Sequence, residues 1–230
     1  MKNRVTIIDL ETTGLDRDKD QIIEVAAVLF DVTHAEIVSS SSFLIHGESN
    51  PAENINGIDP MLLAVTPVVY SMSHALDSLK LYACHSDAFV AHRATFDKSF
   101  LLGNAKRPGF DNEENNSLPW ICTKFGCEWP RGQWADHLTG LALNHGVTVT
   151  SAHRALDDCL LLARVMQRVE ETTESLSRIL YSGLSRGIGD PNKCIGKAAY
   201  GSDRCGKYVR SYRQDIHFCP LHDGPSGWLE

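Results

Sequence analysis

Two carboxylates one residue apart, at the end of an apolar run, constrain this chain more than any other feature. The short, mostly apolar run Val5-Thr6-Ile7-Ile8 leads into Asp9-Leu10-Glu11-Thr12-Thr13-Gly14-Leu15. In a β-strand residues i and i+2 share a face, so Asp9 and Glu11 project side by side. Two such charges repel at neutral pH, and a cation between them removes the conflict. Gly14 then permits a sharp turn. The stretch reads as half of a divalent-metal site at the end of a central strand.

The strand over 4–11 is followed by apolar runs at 22–32 and 36–46, joined by short polar links. This predicts a three-stranded antiparallel meander that includes the serine run 39–42. Residues 47–60 are rich in turn formers. Apolar spacing predicts helices over 73–81 (after a capping-type Ser), 94–104, 135–144 and 155–169, the last continuing to about residue 180. Gly146 stops the third of these. Short apolar runs at 88–91 and 120–122 predict buried strands, and 105–119 predicts a loop. Gly183, Gly187, Gly189 and Pro191 mark a linker. Strands first, then strands alternating with helices, predict an α/β layer with a mixed sheet.

The 230 residues allow one large domain plus an appendage, and 43% hydrophobic residues suffice for a real core. The net charge of -7 excludes a protein that coats nucleic acid with its whole surface. Charge is uneven. Residues 186–230 carry seven Lys/Arg and five Asp/Glu, a net of +2, which leaves 15 basic and 24 acidic residues, a net of -9, in the rest. Carboxylates in the larger part suit metal binding, and a basic tail suits a polyanion. Met1 to Arg4 leads straight into the first strand, so no signal peptide is expected. The run 22–30 is too short to cross a bilayer and contains Glu24. No membrane partner and a cytoplasmic location are therefore expected.

Two further segments complete the acid set. Val90-Ala91-His92-Arg93-Ala94-Thr95-Phe96-Asp97 puts an acid in the first turn of a helix, just past a short strand. Ser151-Ala152-His153-Arg154-Ala155-Leu156-Asp157-Asp158 puts a His and two acids at the start of the longest helix. Five residues turn an ideal helix by about 140°, so His153 and Asp158 share no helical face. His153 is expected on the loop that enters the helix, from which its ring swings towards Asp158.

Asp-x-Glu-Thr-Thr-Gly, His-x-x-x-Phe-Asp and His-x-Ala-x-x-Asp, in that order, resemble the DEDDh family of 3′–5′ exonucleases. That family includes the proofreading subunit of bacterial DNA polymerase III and RNase T. The resemblance covers residues 4–175. It implies a ribonuclease H-like fold of class α/β, a mixed five-stranded sheet flanked by helices. It also implies removal of nucleotides from the 3′ ends of single-stranded DNA or RNA by two-metal phosphodiester hydrolysis. Carried over motif by motif, Asp9, Glu11, Asp97 and Asp158 are the ligands of two Mg²⁺ or Mn²⁺ ions, which prefer carboxylate oxygen. His153 is the general base, since imidazole takes up a proton near neutrality. The resemblance, not the spacing, selects Asp158 over Asp157, which reads otherwise as a helix-start charge.

The same resemblance implies that Thr12, Thr13 and Leu15 hold the terminal nucleotide, through backbone amides and an apolar wedge. It places Asn56 beside the terminal sugar, and Phe96 suits stacking on a base. Plainer readings stand beside these: Leu15 and Phe96 as core, Asn56 as a turn residue. Arg93 stands where relatives often have Asn, and reads either as a phosphate contact or as a solvent-facing charge. His92 is assigned no chemistry.

Cys194, Cys205, Cys219 and His222 are separated by ten, thirteen and two residues. Cys219-Pro220-Leu221-His222 is a close pair of ligands for tetrahedral zinc, and a metal would stabilise a segment with few large apolar residues. The alternatives are free thiols, or His217 in place of His222. Tyr200, Lys207, Tyr208, Arg210, Tyr212 and Arg213 mix rings with positive charge, which suits single-stranded nucleic acid or a solvated face. The expected organisation is an exonuclease domain over 1–182, a linker over 183–192 and a zinc-binding module over 193–230. The rival function is a nucleic-acid-binding or polymerase-associated subunit whose terminal module binds protein. Relatives such as RNase T pair as homodimers, which adds a second copy to the expected partners.

Overall fold

Alternation along the first strand divides the interior into two layers. In the computed structural model, which describes residues 3–65, 69–105, 118–130, 137–150, 153–171 and 176–185, that strand is β1, Arg4–Thr12. Val5 and Ile7 enter one apolar cluster, and Ile8 and Leu10 enter the other. β1 pairs antiparallel with β2, Ile22–Asp31, which pairs antiparallel with β3, Glu36–Leu44. The expected meander is therefore present, with the serine run inside β3. Two short strands, β4 (Ala88–Ala91) and β5 (Trp120–Cys122), add in parallel on the far side of β1. The sheet order is β3-β2-β1-β4-β5, a mixed five-stranded sheet. β2 is apolar on both faces because both are covered, as buried strands require.

Seven helices are formed among the described residues: α1 (Glu53–Asn56), α2 (Pro60–Leu63), α3 (Met72–Cys84), α4 (Ala94–Ala105), α5 (Leu138–Asn144), α6 (Ala155–Glu171) and α7 (Leu176–Ser185). Helices α3 and α4 bury Leu76, Leu79, Phe100 and Leu101 against the Ile8–Leu10 face. Helices α5, α6 and α7 cover the Val5–Ile7 face, where α6 presents Ala155, Cys159, Leu162, Met166 and Val169 at helical spacing. Ser71 caps α3 by accepting the His74 amide.

Three expectations change. The turn-rich stretch 47–60 contains α1 and leads into α2, whose first turn is set by Asp59 accepting the Met61 amide and by Pro60 at the first helical position. The longest helix does not continue to residue 180; α6 ends at Glu171, and α7 starts anew where the Leu176 amide donates to Glu170 Oε2 at 2.9 Å. Gly183 lies within α7 rather than opening a linker. A Cβ there would stand 2.9 Å from Ile121 Cγ2 and 3.3 Å from Cys127 Sγ, so glycine serves close approach to β5. Cys194, Cys205, Cys219 and His222, with the linker from 186 onward, lie outside the described residues. Among the described residues no helix is long and apolar enough to cross a membrane.

Candidate active site

Parallel pairing of β1 with β4 brings the C-terminal ends of both strands to one edge of the sheet. The residues that follow them therefore meet there. Asp9 and Glu11 project on the α6 side of β1, and Asp158 projects from the first turn of α6. Each of these three offers one carboxylate oxygen within 4.8 Å of the others. Asp97 belongs to α4, in the opposite layer, and reaches the site past the strand end. It is 2% exposed and stands outside the three-acid group.

The four acids are electrostatically strained. Burial raises Asp9 well above the usual carboxylate range, and Asp97, Asp158 and Glu11 push it further. Burial and then Asp158 and Glu24 raise Glu11 to about 8. Asp97 rises to about 7, chiefly through burial. Asp158 is raised by burial, against hydrogen bonding from the His153 amide and the nearby His153 charge. A divalent cation among them reverses this logic, because it favours every ionised form. The donor set is all oxygen, which fits a hard cation such as Mg²⁺ or Mn²⁺.

His153 lies on the loop that enters α6, as its spacing from Asp158 requires. Its φ is 65°, a left-handed conformation rare outside glycine, and its side chain is exposed at the rim. Asp157 sits beside Asp158 in the first turn but outside the three-acid group.

A cleft of about 630 Å³ opens over these acids. Its lining includes Asp9, Glu11, Asp97, Asp158 and His153, together with His92, Arg93, Lys124 and His137. Thr12, Leu15, Asn56 and Phe96 also line it. Leu15 is 82% exposed, which removes the core reading for that residue. Phe96 packs on Phe100 with ring centroids 4.7 Å apart, so it serves core and cleft together. Asn56 is buried with both ends of its amide engaged: Oδ1 accepts Asn50 Nδ2 and the Ile58 amide, and Nδ2 donates to the Thr12 carbonyl at 3.3 Å. It braces Thr12 from behind. Thr13 is turned away from the cleft, because its amide donates to Gln21 O, its hydroxyl donates to Asp20, and that hydroxyl accepts the Gln21 amide.

Sequence reasoning did not single out several residues here. Ile55, 61% exposed, lines the cleft together with Leu15. Glu24 is a buried carboxylate on β2, directly opposite Glu11. Its signal was a lone acid within an apolar strand. His92 donates or accepts through Nδ1 with Thr123, its Nε2 is buried with no hydrogen-bond partner among the described residues, and burial lowers it to about 3. It is therefore a neutral ring at the cleft wall.

The exonuclease family model, RNase_T, matches residues 6–166. The PolC-type DNA polymerase III of Staphylococcus haemolyticus (strain JCSC1435) is 30% identical over 177 residues, covering 72% of this chain. The chain spans only 11% of that polymerase's length. Among solved structures, exonuclease X in complex with 5′ overhanging duplex DNA is 25% identical with a TM-score of 0.52, and the match covers 78% of this chain and 99% of that one. E. coli exonuclease I in complex with a dT13 oligonucleotide has a TM-score of 0.60 at 16% identity, over 80% of this chain and 44% of that one. The nuclease domain of 3′hExo, a DEDDh family member bound to rAMP, has a TM-score of 0.57 at 19% identity, over 74% and 93%. The last two likenesses concern the fold, which is the ribonuclease H-like sheet expected from the motifs.

Proposed function

From the premise that this chain belongs to the DEDDh 3′–5′ exonuclease family, we propose that it hydrolyses single-stranded DNA or RNA from the 3′ end, one nucleotide at a time. The observation that carries this reading is the half-buried group of Asp9, Glu11 and Asp158, its oxygens within 4.8 Å of one another in the lining of a cleft. Asp97 completes the set from the other layer. Two divalent ions, Mg²⁺ or Mn²⁺, held by these four acids supply the Lewis-acid chemistry of phosphodiester hydrolysis when bound. His153, exposed at the rim, takes the proton of the attacking water. The water oxygen bonds to phosphorus in line with the departing 3′ oxygen, which leaves with a proton from solvent. Leu15 and Ile55 give the terminal base an apolar seat, and Thr12, braced by Asn56, lines the same end of the cleft.

Arg93 and Lys124 in the cleft lining supply positive charge suited to the phosphates upstream of the cleaved bond. Cys194, Cys205, Cys219 and His222 hold a structural zinc, on the strength of the Cys-x-x-His pair, and the basic, aromatic segment around them tracks the strand. The organisation is an exonuclease domain followed by this module, working in the cytoplasm. Likeness to one segment of PolC-type polymerases supports a second reading, in which the chain works beside a polymerase through its terminal module.

Degradation of 5′-labelled single-stranded DNA and RNA of matched sequence tests the reading, with Mg²⁺ or Mn²⁺ present and EDTA and Asp9→Asn as controls. The expected result is a ladder that shortens from the 3′ end and vanishes in both controls. Folded protein that leaves both polymers intact sinks it.

A further inference from the structure

Glu24 is the acid that the hydrolytic site does not use, although it stands beside the ones that it does. It lies on β2 directly opposite Glu11 and is 2% exposed. Directly opposed residues of an antiparallel pair point to one face, so Glu24 faces α6 as Asp9 and Glu11 do. Yet it is absent from the group able to hold a metal. Its own bonds give the reason. Oε1 accepts Arg154 Nη2 at 2.9 Å and Ser42 Oγ at 3.0 Å. Oε2 accepts Arg154 Nε at 3.0 Å and the Ala155 amide at 3.1 Å. Both oxygens are engaged twice, by donors that include a two-point guanidinium contact.

Apart from Ser42 on β3, those donors belong to the two residues that follow His153. The Ala155 amide is one of the first, otherwise orphaned, donors of α6. The Arg154 carbonyl accepts the Asp158 amide at 3.0 Å, so the same turn also seats Asp158. His153 itself holds a φ of 65° and lines the same cleft as Asp158. A left-handed non-glycine residue is strained and persists only where its surroundings over-determine it. Here the surroundings are a buried carboxylate on one side and the first helical turn on the other. Only the Glu24 side of the pair is buried, Arg154 being half-exposed, and such an ion pair is a poor source of stability compared with apolar packing; its better use is to fix one geometry.

We propose that Glu24 and Arg154 are a positioning pair for hydrolysis: clamped to the sheet, the Arg154–Ala155 turn fixes His153 in its left-handed conformation beside Asp158. The inference rests on the exonuclease reading for its kinetic consequence and on geometry alone for its structural one. Glu24 is not a catalytic residue, since its oxygens never face the cleft.

The test uses full-length protein and steady-state exonuclease kinetics with Mn²⁺, for Glu24→Gln, Arg154→Lys and both together, each in the native and the His153→Ala background. Glu24→Gln and Arg154→Lys are expected to lower kcat roughly ten- to a hundredfold with KM nearly unchanged. The pair together should lose no more than the worse single change. In His153→Ala the same changes should cost less than about threefold, because the residue they act through is gone. An undiminished loss in that background, or a loss confined to KM, overturns the proposal. Arg154→Lys keeps the charge and guards against a variant that fails to fold. Backbone NMR shifts and couplings of His153, which need no turnover, should show the left-handed signature in native protein and lose it in both variants. Persistence of that signature also overturns the proposal. Native protein that degrades neither polymer defeats the exonuclease reading instead, and the NMR result still decides the clamp.

Discussion

Glu11 and Glu24 stand directly opposite each other on β1 and β2, and the fold answers their two charges differently. Glu24 receives a guanidinium, a backbone amide and a hydroxyl. Glu11 receives no such set among the described residues and is pushed up to about 8 by burial and by Asp158 and Glu24, with Arg154 opposing the shift. One carboxylate is thereby fixed as structure, and the other is left dependent on a cation.

Stability of the metal-free protein should fall as pH rises. Glu11 moves from 4.5 in the free chain to about 8 in the fold, and Asp97 from 3.8 to about 7. Between those values the folded state holds protons that the unfolded chain has released, so raising the pH favours unfolding. Thermal melts in EDTA should give a lower Tm at pH 8.5 than at pH 5.5. Mn²⁺ binds the ionised acids, so its stabilisation should be larger at the higher pH. A Tm gain from Mn²⁺ that shrinks with rising pH would contradict this electrostatic account.

Asp9→Asn should separate activity from stability in opposite directions. Asp9 is the acid on which Asp97, Asp158 and Glu11 all press. Removing its charge should lower kcat by roughly a hundredfold or more, through the loss of a metal ligand. It also relieves buried repulsion, so in EDTA at pH 8.5 the variant should melt higher, by about 2–4 °C for each kcal/mol relieved. A lower melting point would mean that the Asp9 carboxylate is held by favourable contacts instead.

Much of this site was legible because its chemistry is written at fixed offsets. Asp9 and Glu11 share a face by strand alternation, and His153 had to leave the helix because five positions do not return to one face. What was not legible depends on pairing between distant strands. Nothing near Glu24 in the chain indicates that β2 registers it against Glu11, or that Arg154, 130 positions away, closes on it. Thr13 misled for the same reason: its partner Gln21 is set by the turn through Asp16 and Asp20. Gly183 read as a break, since a glycine used for close packing and one used to end a helix look alike in one sequence.

Leu15 and Phe96 should respond differently to truncation. Leu15 is 82% exposed over the cleft, so Leu15→Ala should leave Tm within about 1 °C while raising KM roughly tenfold. Phe96 packs on Phe100 and the α4 side of the core. Phe96→Ala should cost roughly 2–3 kcal/mol of stability as well as substrate affinity. Urea unfolding beside oligonucleotide titration of both variants decides the matter. Equal stability losses would return Leu15 to a structural role.

The cysteine-rich segment should carry metal independently of the acids. Full-length protein purified without added zinc is expected to contain about one zinc per chain by elemental analysis. Cys219→Ser should remove it, while cleavage of a dinucleotide, too short to reach a second module, proceeds as before. Zinc retained by Cys219→Ser would show that the metal sits elsewhere.

Gly14→Ala should disturb the cleft through Asp20. A Cβ on Gly14 would lie 2.6 Å from Asp20 Cγ, which must then move. Asp20 is not free to move without loss, since it accepts the Asp16 amide at 2.8 Å and the Thr13 hydroxyl at 3.2 Å. Displacing it loosens the turn from Thr13 to Asp16, which carries Leu15. The expected cost is about 1–3 kcal/mol with a rise in KM. Asp20→Ala vacates the space at the expense of the same two bonds. The two substitutions should therefore be strongly non-additive, and Gly14→Ala should cost little once Asp20 is truncated. Additive losses across the cycle would mean that the glycine is required for backbone freedom at the turn and not for the carboxylate packed against it.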